Sequence, residues 1–213
     1  MVDTTEERQL REQQLESWGR LLAGLSHDLK NHLGIIRESG GLISDMVEIH
    51  GKTLDPSLAD RLLKAAATIE KRVAIAADLL HHLSSFAHRA DSPESSVLLG
   101  DILREEAAFL QRFARMKQVE LQIEAEEDVV LITSPTLLHH LIYRLFLFAL
   151  EQLPVGKTLT IAVRKGESGG KICFYAGESA LDRELPIIEY SNTLQAIAGA
   201  VSMQDGQIIL EFC

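Results

Sequence analysis

From about residue 6 to residue 88 the apolar residues recur three and four positions apart. This pattern restricts the first part of the chain to long helices packed along a seam. Leu15, Trp18, Leu22 and Leu25 begin the stripe, Leu29, Leu33 and Ile36 continue it, and Ile43 and Val47 close it. The two successive spacings of four from Leu25 to Leu33 form a stutter, which locally unwinds a supercoil. The stretch GKTLDPS interrupts the pattern, with Asp55 placed to cap a second helix and Pro56 at its first position. The second stripe runs through Ala59, Leu62, Ala66, Ile69, Val73, Ala76, Leu80 and Leu83. Two antiparallel helices leave much of such a seam in water. Pairing two hairpins buries it, so a homodimeric four-helix bundle is expected over residues 1–88.

The polar segment HRADSPESS reads as a short linker, and beyond it the pattern alternates between helix and strand. Helix LLGDILREEAAFLQRFARMKQ precedes strands VELQIE and DVVLIT, with EAEED as a solvated turn between them. Helix SPTLLHHLIYRLFLFALEQL, strands TLTIAVRK and KICFYA, helix NTLQAIAGAVSM and a last strand QIILEF follow. The expected fold is therefore α+β: a helical hairpin, then an α/β sandwich over 96–213 with helices on one face of a sheet.

The formal charge of -10 and pI near 5.3 leave no surface that would track phosphates, which argues against nucleic-acid binding. No apolar run reaches the ~20 residues needed to cross a bilayer, and MVDTTEERQLREQQ is too polar for a secretory signal, so a cytoplasmic location is expected. Cys173 and Cys213 lie in apolar strand-like stretches without metal-type spacing and read as free buried thiols. His81-His82 and His139-His140 are adjacent pairs that lack the i, i+4 geometry of helical chelation. They read as surface or core-edge residues, and no metal site is expected.

The chemistry concentrates in LSHDLKNHLGII. At about 100° per residue, His27 lies roughly opposite Leu25 and Leu29 and faces water. Its neighbours on that face are Arg20, Ala23, Gly24, Lys30, Asn31 and Gly34, several of them small enough to let a partner come close. A neutral imidazole exposed there is nucleophilic, and Asp28 can fix its tautomer or take up a proton. A solvated helix face would carry such a pair equally well.

SHDLKNHLGII resembles the H-box of sensor histidine kinases, S-H-E-L-R-T-P-L, with Ser26, His27, Asp28, Leu29, Lys30 and Leu33 at the matching positions. The resemblance implies that His27 is a phosphoacceptor, Asp28 its acid/base partner, and Asn31 a residue that in several such families positions water for response-regulator dephosphorylation. His32 stands where the family often has a helix-bending proline, near the seam and away from the acceptor face.

The second half resembles the kinase ATP-binding domain in order but departs from it in chemistry. Arg144 and Phe148 replace the two asparagines of the N-box. Ala176, Glu178 and Ala180 replace the aspartate and glycines of D-x-G-x-G, and Ser191 and Thr193 stand for glycines of the last box. Nucleotide binding needs glycine-rich turns and a metal held between phosphates, so neither ATP binding nor any other cofactor is expected. This combination resembles the ChpT-type and sporulation-phosphorelay-type histidine phosphotransferases. It implies ATP-independent relay of a phosphoryl group between response-regulator receiver domains. A non-catalytic pseudokinase scaffold for response regulators and a response-regulator phosphatase using Asn31 are the alternatives.

Overall fold

The computed structural model describes residues 4–89, 94–125, 129–166, 169–177 and 181–212, with side chains of the first helix described at Leu22 and from Ser26 onward and those of the second through Ser85. It divides into two compact units, Met1–His88 and Arg89–Cys213. Cys213, Glu178 and Ala180 lie outside the described residues, as does most of EAEED. So do the side chains of Leu15, Trp18, Leu25, Arg20, Ala23 and Gly24.

The two apolar stripes form α1 (Thr4–His50) and α2 (Pro56–Arg89), joined through a 3-10 turn, Gly51–Thr53. Asp55 caps α2: its Oδ1 accepts the backbone N–H of Ser57 at 2.9 Å and of Leu58 at 3.1 Å, and Pro56 takes the first helical position. The helices meet closely at Gly40, where a β-carbon would stand 3.5 Å from Ile69 Cγ2. Ser26, Gly40 and Val47 are buried on α1, and Ala66 and Val73 on α2. Sequence periodicity placed Leu29, Leu33, Ile36, Ile43 and Val47 on one seam, but the structure divides them. Residues seven apart, Ser26, Leu33, Gly40 and Val47, share the covered side, whereas Leu29, Ile36 and Ile43 remain 40%, 47% and 38% exposed. One antiparallel partner covers only part of an apolar arc this wide.

The second unit is an α+β fold: β1 (Ser95–Leu98), α3 (Leu99–Met116), β2 (Glu120–Glu124), β3 (Val130–Thr133), α4 (Pro135–Gln152), β4 (Thr158–Lys165), β5 (Gly170–Tyr175), α5 (Ile187–Ala196), β6 (Gly199–Gln204) and β7 (Gln207–Phe212). The five-stranded sheet has the order β2-β4-β5-β7-β6, with β2 and β4 parallel and the other neighbours antiparallel. Strands β1 and β3 form a separate antiparallel pair. Alternation assigns the faces. Leu159, Ile161, Val163, Ile172, Phe174, Ile208 and Leu210 join Leu103, Leu110, Leu141, Leu145 and Phe146 of α3 and α4 in one core. Gln122, Glu124, Arg164, Lys171, Tyr175 and Glu211 line the opposite face. There Arg164 and the Tyr175 hydroxyl (3.0 Å) both donate to Glu124.

Three expectations need correction. VELQIE and DVVLIT are strands that belong to different sheets: β2 pairs with β4, and β3 with a short strand, β1, where the sequence suggests the end of a linker and the start of a helix. The helix expected over NTLQAIAGAVSM ends at Ala196, and Gly199–Gln204 is a strand. Ala198 at φ 50° stops the helix, and Asp205-Gly206, at φ 47° and 72°, turns β6 into β7 as a two-residue hairpin with Gln204 opposite Gln207. His139 is not at a surface or core edge. It is 2% exposed, with Nδ1 2.6 Å from Glu106 Oε2, and joins α3 to α4 through a buried polar contact.

Candidate functional site

Ser26 is fully buried and His27, about 100° further round α1, projects into solvent with its side chain 75% exposed. Asp28, 76% exposed, places Oδ1 3.4 Å from His27 Nδ1. Asn31, one helical turn on, places Nδ2 3.5 Å from the same nitrogen. All three candidate residues thus converge, and on one ring atom, leaving Nε2 without a contact among the described residues. His32 is also exposed, further round the helix.

These contacts are long, and they constrain the ring differently. A carboxylate can only accept, so the Asp28 contact holds the tautomer with hydrogen on Nδ1 and a nucleophilic lone pair on Nε2. The Asn31 amide suits either tautomer, because its oxygen and nitrogen can exchange places by a flip. Gly34, two turns from His27, has no neighbour within 4 Å of where a β-carbon would stand, so the surface beside the imidazole is open.

In the second unit, Arg144 and Phe148 of α4 make contacts with the 181–196 segment. Arg144 Nη2 donates to Glu189 Oε2 at 2.7 Å, and its guanidinium lies 5.4 Å from the ring centroid of Tyr190. Burial pushes the Tyr190 hydroxyl above its ordinary pKa. Phe148 is 7% exposed with the Arg183 guanidinium 5.5 Å above its ring, and Arg183 also pairs with Glu151 at 3.3 Å. The Arg183 backbone N–H donates to Gln152 Oε1 at 2.9 Å. Leu181, Leu185, Tyr190 and Leu194 of this segment belong to the core, as does Ala176. Sequence reasoning identified Arg144 and Phe148 as departures but missed their partners Glu189, Tyr190 and Arg183. Their separation in sequence, 45 residues between Arg144 and Glu189, carries no local signal.

Among the described residues no helix is long and apolar enough to cross a membrane, and no group of three or more His, Cys, Asp or Glu could hold a metal ion.

No protein-family model matches the sequence, and no curated protein matches it. Solved structures similar to it include the histidine kinase AdeS of Acinetobacter baumannii, at 12% identity and TM-score 0.44 over 86% of this chain and 94% of that one. The ATP-binding domain of PrrB from Mycobacterium tuberculosis is similar at 13% identity and TM-score 0.46, over 57% of this chain and 97% of that one. The cytoplasmic segment of the histidine kinase QseC is similar at 12% identity and TM-score 0.43, over 56% and 78%.

Proposed function

We propose that this chain is a histidine phosphotransferase of two-component signalling, in which His27 carries a phosphoryl group between the aspartates of response-regulator receiver domains without a nucleotide. The observation that carries this reading is the exposed His27 ring, contacted at Nδ1 by Asp28 and Asn31 and open at Nε2. The Nε2 lone pair attacks the phosphorus of a receiver's aspartyl phosphate, the bond from phosphorus to the aspartyl oxygen breaks, and the carboxylate leaves. Positive charge that develops on the ring is offset by Asp28 through the Nδ1 hydrogen. The reverse sequence delivers the group to a second receiver. Such transfer needs positioning more than covalent chemistry from the protein, and an exposed ring on a rigid helix supplies it.

The reading includes a homodimer. Leu29, Ile36 and Ile43, with Ile35, Leu42, Met46 and Ile49 further round α1, are exposed, as are Leu63, Ile75 and Leu79 of α2. Apolar exposure of this extent on one hairpin favours burial against a second copy.

Incubation with a panel of phosphorylated receivers tests the reading. One receiver or more labels the protein with an acid-labile, base-stable adduct, and His27→Gln abolishes it while circular dichroism and dimer mass are unchanged. Tight receiver binding without labelling would instead establish the scaffold. Asn31 beside the ring supports a second reading, a phosphatase; receiver dephosphorylation that survives His27→Gln but not Asn31→Ala would establish it.

A further inference from the structure

The second unit is acidic, with eighteen Asp and Glu against eleven Lys and Arg over residues 89–213, yet four of those cations gather at one end of it. Arg112, Arg115 and Lys117 occupy the last turns of α3 and its terminal residue, and Lys157 lies in the loop before β4. The loop is tied to the helix end: the Gly156 N–H donates to the Gln118 carbonyl at 2.8 Å, and the Glu120 N–H to the Lys157 carbonyl at 2.9 Å. Among the described residues no carboxylate pairs with Arg112, Arg115 or Lys157; Arg115 Nε donates to the Gln111 carbonyl, and Lys117 Nζ to the Leu150 carbonyl. Large apolar side chains of the same helix end and loop are exposed: Met116 at 73%, Val155 at 64% and Phe113 at 37%.

Cations at a helix C-terminus complement its dipole, which accounts for Arg115 and Lys117. It accounts neither for Lys157, which is outside the helix, nor for Met116 and Val155 standing in water. We propose that this end of the second unit is a docking surface for an acidic protein partner, whose carboxylates surround an apolar side chain seated on Met116 and Val155. Arg, Met and Phe are the residue types that protein interfaces favour, and unpaired arginines offer bidentate pairing to carboxylates. An anionic bilayer is the less favoured occupant. A broad sheet of negative charge would face the surplus carboxylates of the same unit within a Debye length of about 8–10 Å.

The probe is a peptide of alternating Asp and Glu around a central Leu-Phe, titrated against the intact protein while amide shifts are followed by NMR. We expect shifts centred on 112–118 and 154–157. Affinity should fall steeply as salt rises from about 0.05 M to about 0.5 M. The double change Arg112→Glu with Arg115→Glu should weaken binding about tenfold or more, and Met116→Ser should weaken it at unchanged salt dependence. All three positions are exposed, and an unchanged thermal melt confirms that the variants fold. Absence of shifts at millimolar peptide in low salt, or binding indifferent to the double reversal, overturns the proposal. Charge-dependent binding to phosphatidylserine vesicles without peptide binding overturns it in favour of a lipid surface.

Discussion

The Asn31 amide stands 3.5 Å from Nδ1 of His27, the ring nitrogen that Asp28 also approaches. The two neighbours should therefore separate in their effects. Asp28→Asn removes the negative charge that offsets the charge developing on the ring and lets either tautomer be held at Nδ1, and it should slow phosphoryl transfer by about 10–100-fold with His27 still in place. Asn31→Ala should leave the initial labelling of His27 within a few-fold of normal but change the lifetime of receiver phosphate. Single-turnover transfer and receiver dephosphorylation, measured side by side, check both.

Gly34 and Gly41 are helical glycines with nothing within 4 Å of a would-be β-carbon. Replacing either with Ala should stabilise the hairpin by about 0.5–1 kcal/mol through the entropy of the unfolded chain. Only Gly34 lies near His27 on the acceptor face. Gly34→Ala should raise the melting temperature and slow transfer together, whereas Gly41→Ala should raise it without affecting transfer.

Millimolar ATP or ADP with magnesium should leave the melting temperature unchanged, because a ligand stabilises only by binding the native state. Phe148→Asn should lower it, at a cost of about 3–5 kcal/mol, since it puts an amide in place of a buried core ring. Autophosphorylation from ATP alone would contradict the phosphotransferase reading.

Gly170 packs against Val129 and Leu99 so closely that a β-carbon would overlap Val129 Cγ1 and stand 2.9 Å from Leu99 Cδ1. Gly170→Ala should cost about 1–3 kcal/mol. The opposite sign is expected at Gln118, which holds φ 56° at the end of α3, with the Val119 N–H donating to the Ala114 carbonyl and the Gln118 N–H to the Arg115 carbonyl. Gln118→Gly relieves the left-handed strain and should stabilise by up to about 1 kcal/mol. Chemical denaturation of the two variants should move the midpoint in opposite directions.

The Glu124 carboxyl is held below its ordinary pKa, first by the hydrogen bond from Arg164 and then by that from Tyr175. Its contribution to stability is therefore present above the ordinary glutamate range and is lost as pH falls through the lowered value. Glu124→Gln should flatten that part of the acid limb of a melting-temperature profile.

The helices of the first unit were legible because caps and periodicity are local: Asp55 and Pro56 announce the start of α2, and spacings of three and four announce its course. Which side of α1 is covered was not legible. Leu29 and Leu33 fit the same stripe, and only the position of α2 distinguishes them. Strand β1 was missed because four residues, SSVL, run directly into a helix, and alternation has no length in which to show itself. The helix expected through Met203 reflects the same limit. Ala198 is an ordinary helix former until its left-handed backbone is seen, although Asp205-Gly206 announces the hairpin. At the candidate site, His27, Asp28 and Asn31 share two turns of one helix and could be read together. The partners of Arg144 and Phe148 come from a segment that only the fold brings near.

The contacts of Arg144 and Arg183 tie the 181–196 segment to α4 through the side chains at positions 144 and 148. Asn at position 144 would remove the guanidinium that pairs with Glu189 and covers Tyr190, and Asn at position 148 would remove the ring beneath Arg183. Either substitution loosens the 181–196 segment. The helix and the segment thus act as one mechanical unit, in which a change at either α4 position is felt across residues 181–196.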